Sequence, residues 1–217
     1  PICFIGSSSS AASFMHSGQE FAVKAFPISD TEMAVRFMPN SEGQWLYTIA
    51  TGEQDLAGEF TCVPASPANH GPVSASGQGG FAYADGKVYI PVGTTCYAWI
   101  HQGEEMVKQT LATLAGAPFN KLRMCVFPKS MPYNNNEPDL FPFYKNESGA
   151  WDVSRPVHAF WDHLDDCILK LAELGIETDL ILYHPYDRWG FAQLSLDDCL
   201  TYLDYSLSRH SAHPNIW

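Results

Sequence analysis

The stretch "PVHAFWDHLDDCILKLAELGIETDLILYH", residues 156–184, decides the fold. Apolar residues recur three and four apart at Val157, Phe160, Trp161, Leu164, Ile168, Leu171 and Leu174, which predicts a helix with one wide apolar stripe. Pro156 suits the first helical position, because an N–H there would have no intrahelical partner, and Gly175 suits the residue just past the end. "TDLILYH" (178–184) follows as a continuous apolar run, the pattern of a strand buried on both faces. A helix feeding directly into such a strand is the repeating unit of a parallel sheet covered by helices.

The same alternation extends in both directions. Upstream, "YIPVGTTCYAW" (89–99) predicts a strand ending near Thr95, then a helix from about Glu104 to Ala115, acidic at its positive end and stopped by Gly116. "NKLRMCVF" (120–127) is the next strand, and residues 128–155 form a long connection whose aromatic content favours a functional loop. Downstream, Ser195 and Asp198 make a capping-box pattern for a third helix, with an apolar stripe of Leu196, Cys199, Leu200, Leu203 and Leu207. "HPNIW" (213–217) then reads as the opening of a further strand.

Before residue 72 the rhythm is different. "MAVRFM" and "QWLYTIA" alternate apolar and polar with period two, placing Trp45, Tyr47 and Ile49 on one face, and "PNSEG" between them has hairpin-turn residues. This predicts a β-sandwich over residues 1–72. The proline-rich, aperiodic "VPASPANHGPV" (63–73) reads as an interdomain connection, and Asp85-Gly86 as a hairpin turn just beyond it. The fold class is thus multidomain, β followed by α/β, with residues 73–217 forming the second domain.

Composition removes several functions. A formal net charge of −12, with no Lys/Arg cluster to reverse it locally, repels phosphate backbones, so nucleic acid is not an expected partner. No apolar run approaches the roughly 20 residues needed to span a bilayer. "PICFIGSSSSAASF" has neither an initiator Met nor the basic and apolar regions of a secretory signal, so the true N-terminus is expected upstream, and a cytoplasmic compartment is favoured. Six scattered cysteines without a CxxC pair are expected to be reduced and mostly buried.

In a parallel barrel the working residues come from the carboxyl ends of the strands. Here these are Thr94, Thr95, Cys96, Tyr97, Trp99 and His101 after the first strand, Arg123, Lys129 and Tyr133 on or after the second, and "HPYDRWG" (184–190) after the third. Arg123 is either scaffold for a substrate or half of a structural ion pair, and His184 either touches a ligand or is a satisfied hydrogen-bonding histidine. Asp187 and Arg188 either contact a substrate or pair with each other and neighbouring backbone. A zinc site on His184 and Asp187 would need His101 as third ligand, so no metal is expected, and no glycine-rich phosphate loop or GxSxG elbow is present to imply another cofactor. Aromatic rings beside hydrogen-bonding groups suit sugars, and Trp99, Tyr133, Tyr186 and Trp189 fit that chemistry as well as they fit a packed barrel mouth.

The strings "VRFMPNSEGQWLYTIAT", "YIPVGTTCYAW", "FNKLRMCVFPK" and "ILYHPYDRWGF" resemble a family of bacterial glycoside hydrolases that join an N-terminal β-sandwich of uncharacterised role to a (β/α)8 TIM barrel of the cellulase-like clan. The resemblance runs from about Phe21 to Trp217. It implies a retaining mechanism with two carboxylates about 5 Å apart, supplied by glutamates at the ends of barrel strands four and seven, in the degradation of poly- or oligosaccharide. "PNIW" is similar to the start of strand four, so the resemblance places both catalytic glutamates after Trp217 and none within the 217 residues. Arg123 and His184 match positions that support the nucleophile and contact sugar. The expected substrate-binding set is Arg123, His184, Tyr97, Trp99, Tyr186, Asp187, Arg188 and Trp189. The expected partners are a carbohydrate and either the remainder of the barrel or a second copy at the open sheet edge. A non-catalytic carbohydrate-binding or adhesion module is the alternative.

Overall fold

The computed structural model describes residues 1–6, 10–52, 54–77 and 79–217. The chain divides into two compact units, residues 1–69 with 204–213, and residues 70–203 with 214–217.

The first unit contains β1 (Ile2–Phe4), β2 (Ala11–His16), β3 (Gln19–Lys24), β4 (Phe26–Pro27), β5 (Met33–Val35), β6 (Gly43–Ala50) and β7 (Leu56–Cys62). They form two antiparallel sheets, in the orders β3-β2-β6-β7 and β1-β5-β4. Both sheets contribute to one core of Phe4, Ala12, Phe14, Met33, Val35, Trp45 and Ile49. Along β6 the expected alternation holds: Trp45 and Ile49 are buried while Leu46 and Thr48 face water. The Trp45 indole N–H donates to the Ser41 carbonyl at 3.0 Å, so the ring is buried with its polar atom satisfied. Residues 204–213 join this unit through Lys24–Asp204 (2.7 Å) and through Arg36, which donates to the Arg209 carbonyl (2.8 Å).

The second unit opens with a three-stranded antiparallel meander, β8 (Val73–Ala75), β9 (Phe81–Tyr83) and β10 (Val88–Tyr89). Its β9–β10 turn is Asp85-Gly86, with Gly86 at φ +87° and the Asp85 carboxylate accepting from the Lys87 N–H at 2.9 Å. A parallel sheet follows, in the order β11 (Gly93–Thr95), β12 (Lys121–Cys125) and β15 (Glu177–Ile181). Helix α1 (Glu104–Ala115) follows β11, and α2 (His158–Glu173) precedes β15. Helix α3 (Leu196–His210) follows β15 and is capped by Ser195, whose hydroxyl accepts from the Asp198 N–H (3.1 Å) and donates to its carboxylate (2.6 Å). After α3 the chain returns beside β15, where Ile216 bridges to Thr178 in parallel, and the Asn215 side chain donates to the Ile168 and Ile176 carbonyls.

Five expectations are corrected. Pro156 ends a strand instead of opening α2, whose N-cap is Val157. The long connection carries a hairpin, β13 (Phe143–Lys145) and β14 (Trp151–Pro156), because Asn146 organises the turn by accepting from the Ser148 and Ala150 N–H groups and Gly149 takes φ +84°. β15 is not buried on both faces: Glu177 and Thr178 are buried, but Asp179, Leu180 and Ile181 are only half-buried. On α3 the buried face is Tyr202, Ser206, Arg209 and His210, while Leu196, Leu200 and Leu207 face outward. Tyr202 sets that rotation, packing on Phe127 and donating its hydroxyl to the Leu182 carbonyl. Of the six cysteines, all free, only Cys125 and Cys167 are buried, and burial pushes their thiols up to about 11 and about 12. Among the described residues no helix is long and apolar enough to cross a membrane.

Glu177, at the start of β15, is buried against the meander, and burial pushes its carboxyl up to about 7 despite a hydrogen bond from Tyr83. Burial favours its neutral form, so its contribution to stability is complete below the ordinary value of 4.5 and is lost as pH rises through about 7. Denaturant unfolding of the wild type is therefore expected to show falling stability from pH 5 to pH 8, with Glu177→Gln flattening that slope. An unchanged slope in the variant would contradict this.

Candidate functional site

The parallel strands direct three loops to the same end of the sheet. β11 runs into Cys96 and Tyr97, whose backbone stays registered with β12: the Cys96 N–H donates to the Arg123 carbonyl (3.0 Å) and the Cys125 N–H to the Tyr97 carbonyl (2.9 Å). β12 runs into Lys129, and β15 into His184 and Tyr186. The Ser130 N–H donates to the Tyr186 carbonyl at 2.9 Å, joining the second loop to the third.

Lys129 lies across all three loops. Its ammonium sits 3.6 Å from the Tyr97 ring centroid and 4.7 Å from that of Tyr186, and the residue is only 7% exposed. His184 places Nε2 3.1 Å from the Phe127 carbonyl. A carbonyl can only accept, so Nε2 carries the proton and Nδ1 is left as an acceptor, buried and without a partner among the described residues. Burial, assisted by the Lys129 charge, holds the His184 pKa below its ordinary value, which keeps the ring neutral at pH 7. The Tyr186 ring is 51% exposed and stacks loosely with His184.

The loop after β15 is shaped by Asp187. Its carboxylate accepts from the backbone N–H groups of Trp189, Gly190 and Ala192 at 2.8–2.9 Å, and Gly190 takes φ +100° to complete the turn. Arg188 crosses to the second loop, donating to Glu137 Oε2 (2.9 Å) and to the carbonyls of Asn135 (3.1 Å) and Asn136 (3.4 Å). Glu137 Oε1 also accepts the Trp189 indole N–H at 2.9 Å. The first loop is tied in by Gln102, which donates to Asn134 Oδ1 (3.1 Å) and accepts from Asn136 (2.6 Å).

Of the residues singled out from sequence, Tyr97, His184 and Tyr186 meet here, and Arg188 and Trp189 reach the same end through Glu137. Asp187 takes the bland alternative, spending its carboxylate on neighbouring backbone. Trp99 is buried at 4% exposure with its indole N–H on the Met124 sulfur (2.9 Å), so its ring faces the interior. His101 is likewise buried, stacked on Phe160, and burial lowers its pKa to about 4. Among the described residues no group of three His, Cys, Asp or Glu side chains could hold a metal ion. Sequence reasoning missed Glu137, and only its position within the long aromatic loop pointed toward it.

Arg123 faces the open side of the sheet in a charged cluster. Its Nε and Nη2 both lie 2.8 Å from Asp179 Oδ2, and Lys121 Nζ lies 3.0 Å from the same oxygen. The pairing follows from the register, which sets Arg123 beside Asp179 on adjacent parallel strands. Replacing Asp179 with Asn leaves two cations without their shared carboxylate. The expected cost is about 2–3 kcal/mol, below the 3–5 of a fully buried pair because Arg123 is half-exposed. Denaturant melts measure it, and a loss under about 0.5 kcal/mol, the level of an exposed pair, would contradict the cluster's structural role.

No protein-family model and no curated protein matches the chain. Several solved structures that resemble it are named as glycoside hydrolases. A candidate glycoside hydrolase from Bacteroides vulgatus matches all of this chain with 37% identity and a TM-score of 0.93. The chain spans 46% of the length of that protein. A family 5 glycoside hydrolase, also from Bacteroides vulgatus, matches 70% of this chain and 33% of its own with 18% identity and a TM-score of 0.52. A further glycoside hydrolase matches 71% of this chain and 34% of its own with 17% identity and the same TM-score. These last two likenesses are of fold alone.

Proposed function

We propose that this chain is the substrate-side portion of a glycoside hydrolase acting on a poly- or oligosaccharide. The observation that carries the reading is the match to the candidate glycoside hydrolase over all 217 residues. On this reading residues 1–72 are a β-sandwich domain, and residues 73–217 are the first three βα units of a (β/α)8 barrel with the start of strand four. Tyr97, His184 and Tyr186 then line a sugar subsite: the exposed Tyr186 ring offers a stacking face for sugar C–H groups, and His184 Nδ1 offers an acceptor to a hydroxyl. Glu137 and Asp187 are both committed to fixing loops, and the reading assigns the acid/base and nucleophile of a retaining mechanism to strands outside these residues.

The exposed apolar side chains fit the same reading. Val88, Ile90, Val92 and Met106 beside the β11 edge, and Leu196 and Leu200 on α3, would be covered by further barrel elements or by a second copy. The commitment of both carboxylates favours a second reading for the isolated chain, a module that binds sugar without cleaving it.

Titration with a panel of neutral and anionic oligosaccharides, read by tryptophan fluorescence, tests the proposal. The wild type is expected to bind at least one of them, with His184→Ala and Tyr186→Ala each weakening binding roughly tenfold at unchanged melting temperature. In the complete enzyme, replacing His184 is expected to lower turnover far more than stability. Equal losses of turnover and stability would make His184 a structural residue, and absence of sugar binding across the panel would overturn the proposal.

A further inference from the structure

The ammonium of Lys129 has no counter-charge. The residue is 7% exposed, and no carboxylate or carbonyl among the described residues pairs with its Nζ; the faces of Tyr97 and Tyr186 are its surroundings. With most of its side chain buried, the ammonium has lost part of its water, and ring faces compensate only part of that loss. Two acids of the same loops are already in use. Asp187 is saturated by three backbone N–H groups, and Glu137 is held by Arg188 and Trp189. In a chain of net charge −12, an unneutralised cation at the mouth of a sheet is the local exception that an anion would find.

We propose that Lys129 is the anchor of a subsite for an anionic sugar, one that carries a carboxylate or a sulfate ester, placed between Tyr97, Tyr186 and His184. This rests on the carbohydrate reading above and narrows it to a substrate class. The two polar groups left open are complementary: Lys129 offers N–H donors to an anion, while His184 Nδ1 is an acceptor that needs an O–H donor. A bare sulfate dianion, which has no O–H, satisfies the first and not the second. A neutral sugar satisfies the second and leaves the ammonium unpaired. A uronic acid or a sulfated sugar satisfies both, and the half-exposed Tyr186 ring supplies a face for its C–H groups.

Calorimetric titration of the whole chain tests the proposal, with glucuronate and galacturonate, glucose 6-sulfate, neutral glucose and galactose, and inorganic sulfate as probes. A uronate or the sulfated sugar is expected to bind roughly tenfold or more tightly than its neutral counterpart, the effect of one charge-assisted hydrogen bond. Whichever is preferred identifies the anion. Lys129→Met should abolish the preference while neutral binding survives, and Lys129→Arg should retain it. If Lys129→Met does not fold, the wild type decides alone: the preference should shrink as salt is raised from 50 to 500 mM, and insensitivity to salt would overturn the proposal. Equal binding of neutral and charged sugars, or a preference that survives Lys129→Met, would also overturn it while leaving the carbohydrate reading intact. Inorganic sulfate binding as tightly as the sulfated sugar would show an anion site that does not select sugars. Failure of every sugar would instead count against the carbohydrate reading itself.

Discussion

The parallel register between β12 and β15 is the constraint on which the second unit depends. It sets Lys121 beside Glu177 and Arg123 beside Asp179, so one face of the sheet carries charge. The alternate residues Leu122, Met124 and Thr178 point the other way and are fully buried. A one-residue slip would exchange the faces, burying two cations and exposing the apolar set. The shared Asp179 carboxylate holds the register from the charged side, and Trp161, Leu164, Ile168 and Leu171 form the apolar, fully buried face of α2. The strand ends, and every loop that leaves them, inherit their positions from this arrangement.

Polar cross-links join the loops alongside the packing of Phe141 and Trp151 on Trp189 and Phe191. Gln102, the asparagines 134–136, Glu137 and Arg188 form a chain of hydrogen bonds running from the first loop through the second to the third. Its members are mostly exposed, so each bond contributes little to stability and the chain acts by fixing where the loops lie. The Lys129 ammonium and His184 Nδ1 stay outside it, unspent. Preorganised loops presenting a few unspent polar groups beside aromatic rings are the arrangement a sugar site needs, because little is then lost in ordering the protein on binding.

Much of this was legible in the residues. The helix stripe of α2, its stop at Gly175, the capping box of α3 and the Asp85-Gly86 turn all follow from local rules, and each is satisfied by atoms close in the chain. The stop at Gly175 is an example, with φ +69° there and the Ile176 N–H returning to the Leu171 carbonyl. The misreadings share a different cause. The leucines of α3 predict its core face because they are apolar, whereas Tyr202 and Arg209 outcompete them by packing on the distant rings of Phe127 and Phe26. Pro156 reads as a helix start because the hairpin before it is announced only by the Asn146–Gly149 turn. Within the site, His184 and Tyr186 could be chosen because strand ends are predictable. The roles of Lys129 and Glu137 depend on which loops meet, and no local pattern encodes that.

The most direct test of the account is to map where a sugar touches the protein. Backbone amide chemical shifts of the isotopically labelled chain, followed as an oligosaccharide is added, should move at Tyr97, Lys129, His184, Tyr186 and Trp189, the residues gathered at the carboxyl ends of β11, β12 and β15. Shifts confined to the two N-terminal sheets would contradict the account, placing carbohydrate recognition in the first unit and leaving the strand-end loops without the role assigned to them.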